Sequence, residues 1–304
     1  YLENAEVVTL TREAFVITDL AGKPVNRAPV KIDGDLTQAK KGGYPHFMLK
    51  EIFEQPGVLT AILKERIRGY QVHFDELKFS TAALRKVKRV VIIACGTAYH
   101  AGLVGKYILE EFTRLPVWVD TSSEFRYRDP NVGPDTLVIA ISQSGETADT
   151  LAGVREANRK KAMTLALCNV LGSTLSRTAK GVIYTHAGPE ISVASTKAYT
   201  AQLAILYLVG LTLGQLFKSL KEPKRRELLK EFLHVPKQMR LFLDEYKRDE
   251  ENWRKNAHDF SVRYHEQLEK YYSADPDKRK RAPNGFFLYL GRNINYPPAI
   301  EGAL

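Results

Sequence analysis

The period of the hydrophobic positions changes along the chain, and each change marks a different kind of element. Residues 5–20, "AEVVTLTREAFVITDL", hold two short β-prone runs separated by Arg12-Glu13 and followed by the turn Ala21-Gly22-Lys23-Pro24. This is a hairpin too small to have a core of its own. The polar, glycine-bearing stretch 35–45, "DLTQAKKGGYP", reads as a linker. Phe47, Leu49, Ile52 and Phe53 then fall at helical spacing, and a second helical stretch through Ile62 and Ile67 is expected to end at a polar break near Gln71.

Further on the pattern becomes a series of continuous apolar runs, near 89–94, 117–120, 136–141, 163–168 and 182–185. Runs without alternation suit parallel strands covered on both faces. The stretches between them, such as 146–161, are long enough for crossover helices. Together they predict an α/β fold built on a doubly wound parallel sheet, with binding at the carboxyl ends of the strands. A long apolar helix from about Lys197 to Leu216 follows, then two charged amphipathic helical stretches at about 224–247 and 250–272, the first expected to break at Pro236. The apolar run Phe286–Leu290 and the following "GRNINYPPAIEGAL" repeat the earlier order of strand, glycine, polar loop and helix opening. One strand and one helical turn cannot close a core, so this second α/β unit is expected to be cut short. Tyr1, where an initiator Met is expected, points to a cut front end as well.

Composition excludes more than it suggests. The 304 residues leave room for about two domains. With 44% hydrophobic and 26% charged residues the chain has an ordinary globular composition. A net charge of +10 raises the question of nucleic acid, but between Lys218 and Arg281 the basic residues are mixed with Asp and Glu at helical spacing, as on a solvated face. The uniform run Lys278–Arg281 comes with neither stacking aromatics nor a binding motif, so no nucleic-acid partner is expected. The longest apolar candidate, 201–216, is interrupted by Gln202, Gly210, Gly214 and Gln215 and falls short of the roughly 20 residues of a bilayer span, so no membrane association is expected. The N-terminus carries no secretion-signal pattern, and the two cysteines, Cys95 and Cys168, each close an apolar run. They read as buried reduced thiols in a cytoplasmic protein.

The candidate chemistry lies where two strands end. "SQSGET", 142–147, supplies hydroxyls from Ser142, Ser144 and Thr147, an amide from Gln143, and Gly145 for close backbone approach, just before a helix whose first N–H groups are unpaired. Such a site suits a phosphate. A diphosphate nucleotide is disfavoured, because neither G-x-G-x-x-G nor G-x-x-x-x-G-K-S/T is present, and a dinucleotide-dependent oxidoreductase is excluded on the same ground. "CGTAYHAG", 95–102, brings Gly96 and Thr97 to a second strand end, so two strands supply donors to one crevice. In "GPEISVASTK", 188–197, Ser195 or Thr196 is a natural N-cap for the long helix, leaving the other to reach the crevice, and Lys197 is expected to face solvent or pair with a carboxylate rather than to neutralise phosphate charge. His46, His100 and His186 do not form a metal-binding spacing, and neither a metal nor a cofactor is expected. Glu190 and Glu301 are the acid or base candidates, each without a visible partner.

The segments "HFMLKEIFEQP", "ACGTAYHAGLVGKY", "SEFRYRDP", "AISQSGETADTL", "THAGPEISVASTKAYTAQ" and "NYPPAIEGAL" together resemble the glutamine–fructose-6-phosphate aminotransferase (isomerising), or glucosamine-6-phosphate synthase, family over the whole chain. The resemblance implies a sugar isomerase (SIS) domain, a three-layer αβα sandwich, at 46–240. It also implies the end of a glutaminase domain at 1–34, a linker at 35–45 and the opening of a second SIS domain at 241–304. By the same resemblance the substrate-binding residues are Thr97, Ala98, Ser142, Gln143, Ser144, Thr147, Val193 and Ser195. The family often has serine where this chain has Ala98, which removes a side-chain donor and leaves the backbone amide.

The activity implied is the formation of glucosamine 6-phosphate from fructose 6-phosphate and glutamine. Glutamine is hydrolysed in the glutaminase domain, and the ketose is aminated and isomerised by proton transfer between C1 and C2. A homodimer is implied too, since a neighbouring subunit completes the isomerase site. The lysine and glutamate that handle the open-chain sugar follow "EGAL" in the family, so no catalytic residue is assigned here. The 304-residue chain is expected to be inactive alone. The rival reading is a non-catalytic SIS-domain regulator that senses a sugar phosphate.

Overall fold

The computed structural model describes residues 2, 3, 5–28, 40–252 and 255. Residues 35–39 of the expected linker, most of the helical stretch expected at 250–272, the apolar run at 286–290 and Glu301 lie outside the described residues. Two compact units separate at Lys40. The first contains the antiparallel hairpin of β1 (Glu6–Leu10) and β2 (Phe15–Asp19), in the register Glu6↔Asp19 to Leu10↔Phe15. Ile17 is its buried apolar residue among those described, while Leu10, Val16 and Leu20 are exposed, in keeping with a hairpin that lacks its own core. Arg27 closes it by pairing with Glu6 at 2.7 Å, which holds the Glu6 carboxyl below its usual range together with the Glu3 amide, the larger cause.

The second unit begins with α1 (Phe47–Arg66), followed by the two-residue ladder of β3 (Ile67–Arg68) and β4 (Gln71–Val72) and the short α2 (Thr81–Leu84). One helix therefore replaces the two expected, and Ile67 belongs to a strand. Pro56 lies within α1 and cannot donate to the Ile52 carbonyl one turn earlier. Gln55 Nε2 donates to that carbonyl at 3.1 Å instead, so the helix continues through the proline.

The alternating part comprises β5 (Arg89–Ala94), α3 (Thr97–Thr113), β6 (Val117–Thr121), α4 (Ser122–Tyr127), β7 (Thr136–Ser142), α5 (Ala148–Arg159), β8 (Met163–Cys168), α6 (Thr174–Thr178) and β9 (Gly181–Tyr184). All five strands run parallel in the order β6-β5-β7-β8-β9. The expected strand positions agree with those observed to within a residue. Successive side chains on a strand point to opposite faces. Val90, Ile92 and Ala94 thus join Leu137, Ile139 and Ile141 in one core, and Val91 and Ile93 join Val138 and Ala140 in the other. Burial on both faces is what removed the alternation from the sequence.

The larger core is covered by α1, α3 and α7 (Lys197–Leu216), the smaller one by α4 and α5. By length and composition α7 could cross a bilayer, but Ala201, Ile205, Leu208 and Leu211 are buried within this domain, where the helix packs against α3. The last described helix, α8 (Glu222–Arg248), packs on α1 and runs unbroken past Pro236 and past the boundary expected at 240. Phe232, Val235 and Met239 hold it to the larger core, so tertiary packing overrides the proline's breaking tendency.

Candidate functional site

In this strand order the chain steps from β5 out to β6 and then crosses back over β5 to β7, so the neighbours β5 and β7 form the topological switch point. Loops leaving their carboxyl ends diverge to opposite faces and open a crevice there. The turn after β5 is Cys95-Gly96, and Gly96 has φ +57°, a left-handed value open to glycine at little cost. The turn after β7 is Gln143 to Thr147. Between the two is a crevice of about 270 Å³.

Its first wall is Cys95, Thr97 and Ala98, and its second is Ser142, Gln143, Ser144 and Thr147. The loop before α7 supplies the third, from Glu190, Ser192, Val193 and Ser195. All eight residues expected to bind substrate thus line one crevice. Ser142 and Thr147 share a hydroxyl hydrogen bond of 2.9 Å, and the Gly145 N–H donates to Ser142 Oγ at 3.0 Å. Thr147 is the N-cap residue of α5, yet among the described residues its hydroxyl does not bond the helix's first amides. Those amides and the positive end of the helix dipole remain for an anion. Behind this loop, Leu175 N donates to the Gly145 carbonyl at 2.9 Å, Thr174 N to the Glu146 carboxylate at 2.7 Å and Asn169 N to the Gln143 carbonyl at 3.1 Å.

Among the described residues, no lysine or arginine lines the crevice. Lys197 is buried and pairs with Glu54 at 2.7 Å, the carboxylate-paired alternative of the two expected for it. An oxyanion here would be held by neutral donors and a helix terminus, an arrangement that α/β proteins use for phosphate.

Two expectations change. Thr196 is the N-cap residue of α7, one of the two expected, but neither its hydroxyl nor that of Ser195 bonds the helix's first amides: the Glu190 carboxylate accepts from Thr196 N at 2.8 Å, Ala198 N at 3.1 Å and Ser195 Oγ at 2.8 Å. With three donors on its two oxygens, Glu190 acts as a helix cap and loop anchor, which accounts for it without an acid or base role. Cys95 is half-buried and lines the crevice, whereas Cys168 is fully buried as expected. Burial pushes the Cys168 thiol up to about 11, against a weaker opposing effect of the Ser173 hydroxyl that donates to it. At pH 8 iodoacetamide is therefore expected to label Cys95 and to spare Cys168 until the protein unfolds, since only the thiolate reacts. Peptide mass mapping of both residues checks this, and equal labelling of the folded chain would contradict it.

Three residues of the site carried no assigned role in the sequence. Glu51, on α1, accepts from Ile191 N at 2.6 Å and from the Ser192 amide and hydroxyl, fixing the third wall from outside. Ser192 itself lines the crevice. So does Gln202, which the sequence showed only as a polar break in an apolar run. A glutamine facing inward from an otherwise buried stripe was the available signal.

A doubly wound sheet with a hydroxyl-rich crevice at its switch point defines the class, and residues 83–211 match the family model described as SIS domain. The chain is 45% identical over all of its 304 residues to glutamine–fructose-6-phosphate aminotransferase (isomerising) of Thermus thermophilus, and 40% identical to that of Chlorobaculum tepidum, in each case across 46% of the relative. The solved C-terminal domain of glucosamine-fructose-6-phosphate aminotransferase from Francisella tularensis is 35% identical, with a TM-score of 0.71 over 87% of this chain and 67% of that one. The chain belongs to the glutamine–fructose-6-phosphate aminotransferase (isomerising) family. It spans about half the length of the curated relatives it matches.

Proposed function

We propose that this chain is the sugar-phosphate-binding part of an enzyme that makes glucosamine 6-phosphate from fructose 6-phosphate and glutamine, and that the crevice between β5 and β7 holds fructose 6-phosphate by its phosphate. The observation that carries this reading is the meeting, at one switch point, of the Ser142, Ser144 and Thr147 hydroxyls with the uncapped start of α5. Gln143 and the backbone at Thr97 and Ala98 complete the phosphate and sugar contacts, and Val193 and Ser195 approach from the third wall. The division at Lys40 supports assigning 1–34 to the end of a glutaminase domain and 35–45 to a linker. The SIS domain from 46 to about 240 and the opening of a second one at 241–304 belong to the same proposal on the resemblance alone. Glutamine would act through the glutaminase domain, and a cytoplasmic homodimer is part of the same proposal.

Titration calorimetry with fructose 6-phosphate tests the reading. The chain should bind saturably, and the Ser144→Ala, Thr147→Ala double variant should bind about a hundredfold more weakly, since each hydrogen bond to a charged oxygen contributes roughly 1.5 kcal/mol. Equal affinity in a variant that melts like the wild type would remove the phosphate assignment.

A further inference from the structure

Gln202 lies in the second turn of α7, on the wall of the crevice and only 3% exposed. Its Oε1 is buried and has no hydrogen-bond partner among the described residues. Along the same helix Ala198, Ala201, Ile205 and Leu206 are apolar and buried, so packing alone would accept an aliphatic side chain at this position. A buried amide oxygen left unpaired destabilises the fold that carries it, and native proteins seldom keep one without a use. Its chemistry says which ligand group answers it. Oε1 only accepts, so it requires a donor; a phosphate dianion has none, and a sugar hydroxyl does.

We propose that Gln202 is a specificity-determining residue that hydrogen-bonds a hydroxyl of the bound sugar, so that the crevice reads two ends of its ligand. Neutral donors of the Ser142–Thr147 loop take the phosphate, and Gln202 together with the Ser195–Glu190 pair takes the polyol part. This rests on the sugar-phosphate reading above and adds to it a reason for preferring sugar phosphates over phosphate itself.

The test is a pair of titrations, with fructose 6-phosphate and with inorganic phosphate, of the wild-type chain and of Gln202→Met. Methionine keeps the length of the side chain and removes the unpaired amide. The variant should melt no lower than the wild type, bind fructose 6-phosphate about tenfold more weakly and bind inorganic phosphate within about twofold of the wild type. Unchanged fructose 6-phosphate affinity overturns the proposal, as does a lowered Tm with both ligands weakened alike, which marks the glutamine as structural. A wild-type chain that binds inorganic phosphate but gains nothing from the sugar overturns Gln202's role while leaving the phosphate site. One that binds neither removes the sugar-phosphate reading and this inference with it. Should the variant fail to fold, the side-chain amide resonances of Gln202 in the wild type decide: they should shift with fructose 6-phosphate and stay in place with inorganic phosphate, and the reverse overturns the proposal.

Discussion

Replacing Gly145 by alanine is expected to lower the stability of the SIS domain by about 3 kcal/mol, and its Tm by roughly 6–12 °C, and to weaken fructose 6-phosphate binding more than tenfold. Two independent effects add. Gly145 has φ +68°, where any L side chain is strained. Its missing Cβ would also lie 2.6 Å from Ser173 Cβ and closer still to Ser173 Oγ. Ser173 cannot turn away cheaply, because it is fully buried and its hydroxyl is engaged with the Cys168 sulfur. The loop must therefore shift, and with it the Gly145 N–H that orients Ser142 Oγ and the carbonyl that receives Leu175 N. A double-mutant cycle with Ser173→Gly separates the two effects: the second change should restore the part of Tm lost to the clash and leave the part owed to φ. A Gly145→Ala chain that melts and binds like the wild type would mean that the loop is not held against the 168–175 turn.

How far the sequence could be read follows from which interactions are local. The five strands were legible because burial on both faces writes itself as unbroken apolar runs, Val90–Ala94 and Leu137–Ile141 most plainly. The two glycine-bearing turns after them were legible because close backbone approach restricts residue type. That these turns adjoin follows from strand order, which the doubly wound topology supplies. Other features depend on where a single side chain points or on partners far away in sequence, and left no legible pattern. The continuity of α1 through Pro56 depends on where the Gln55 amide points. Glu190 looked like a free carboxylate because its three donors come from the loop's own return into α7. Cys95 ended an apolar run as a core residue does, yet it stands where the sheet opens, so the run's last position meets the crevice instead of the core. The Lys50, Glu51, Glu54 and Gln55 face of α1 has the composition of a solvated surface. In the fold it meets the start of α7 and the loop before it, through Glu51 with Ser192, Glu54 with Lys197 and Gln55 with Thr200 at 2.5 Å.

That face of α1 makes Glu51 the residue outside the crevice on which its third wall depends most. Glu51 is 2% exposed, and its carboxylate receives the Ile191 amide together with the amide and hydroxyl of Ser192. Ile191 and Val193 are themselves exposed, so once the carboxylate is gone water can reach the freed amides. The cost then falls on the order of the loop more than on the global fold. Glu51→Ala should accordingly lower Tm by only a few degrees, roughly 2–4 °C for each kcal/mol lost. Fructose 6-phosphate affinity should fall about thirtyfold or more, because ordering residues 190–195 becomes a cost of binding. Glu51→Gln keeps one carbonyl acceptor and should regain most of the Tm and part of the affinity. Hydrogen exchange reads the cause directly: the Ile191 and Ser192 amides should lose protection in Glu51→Ala while those of β5 and β7 keep theirs. If both amides stay protected while affinity falls, the loss arises elsewhere and α1 does not set the third wall. If protection is lost and affinity is unchanged, the loop before α7 contributes nothing to binding, and the substrate is held by the turns after β5 and β7 alone.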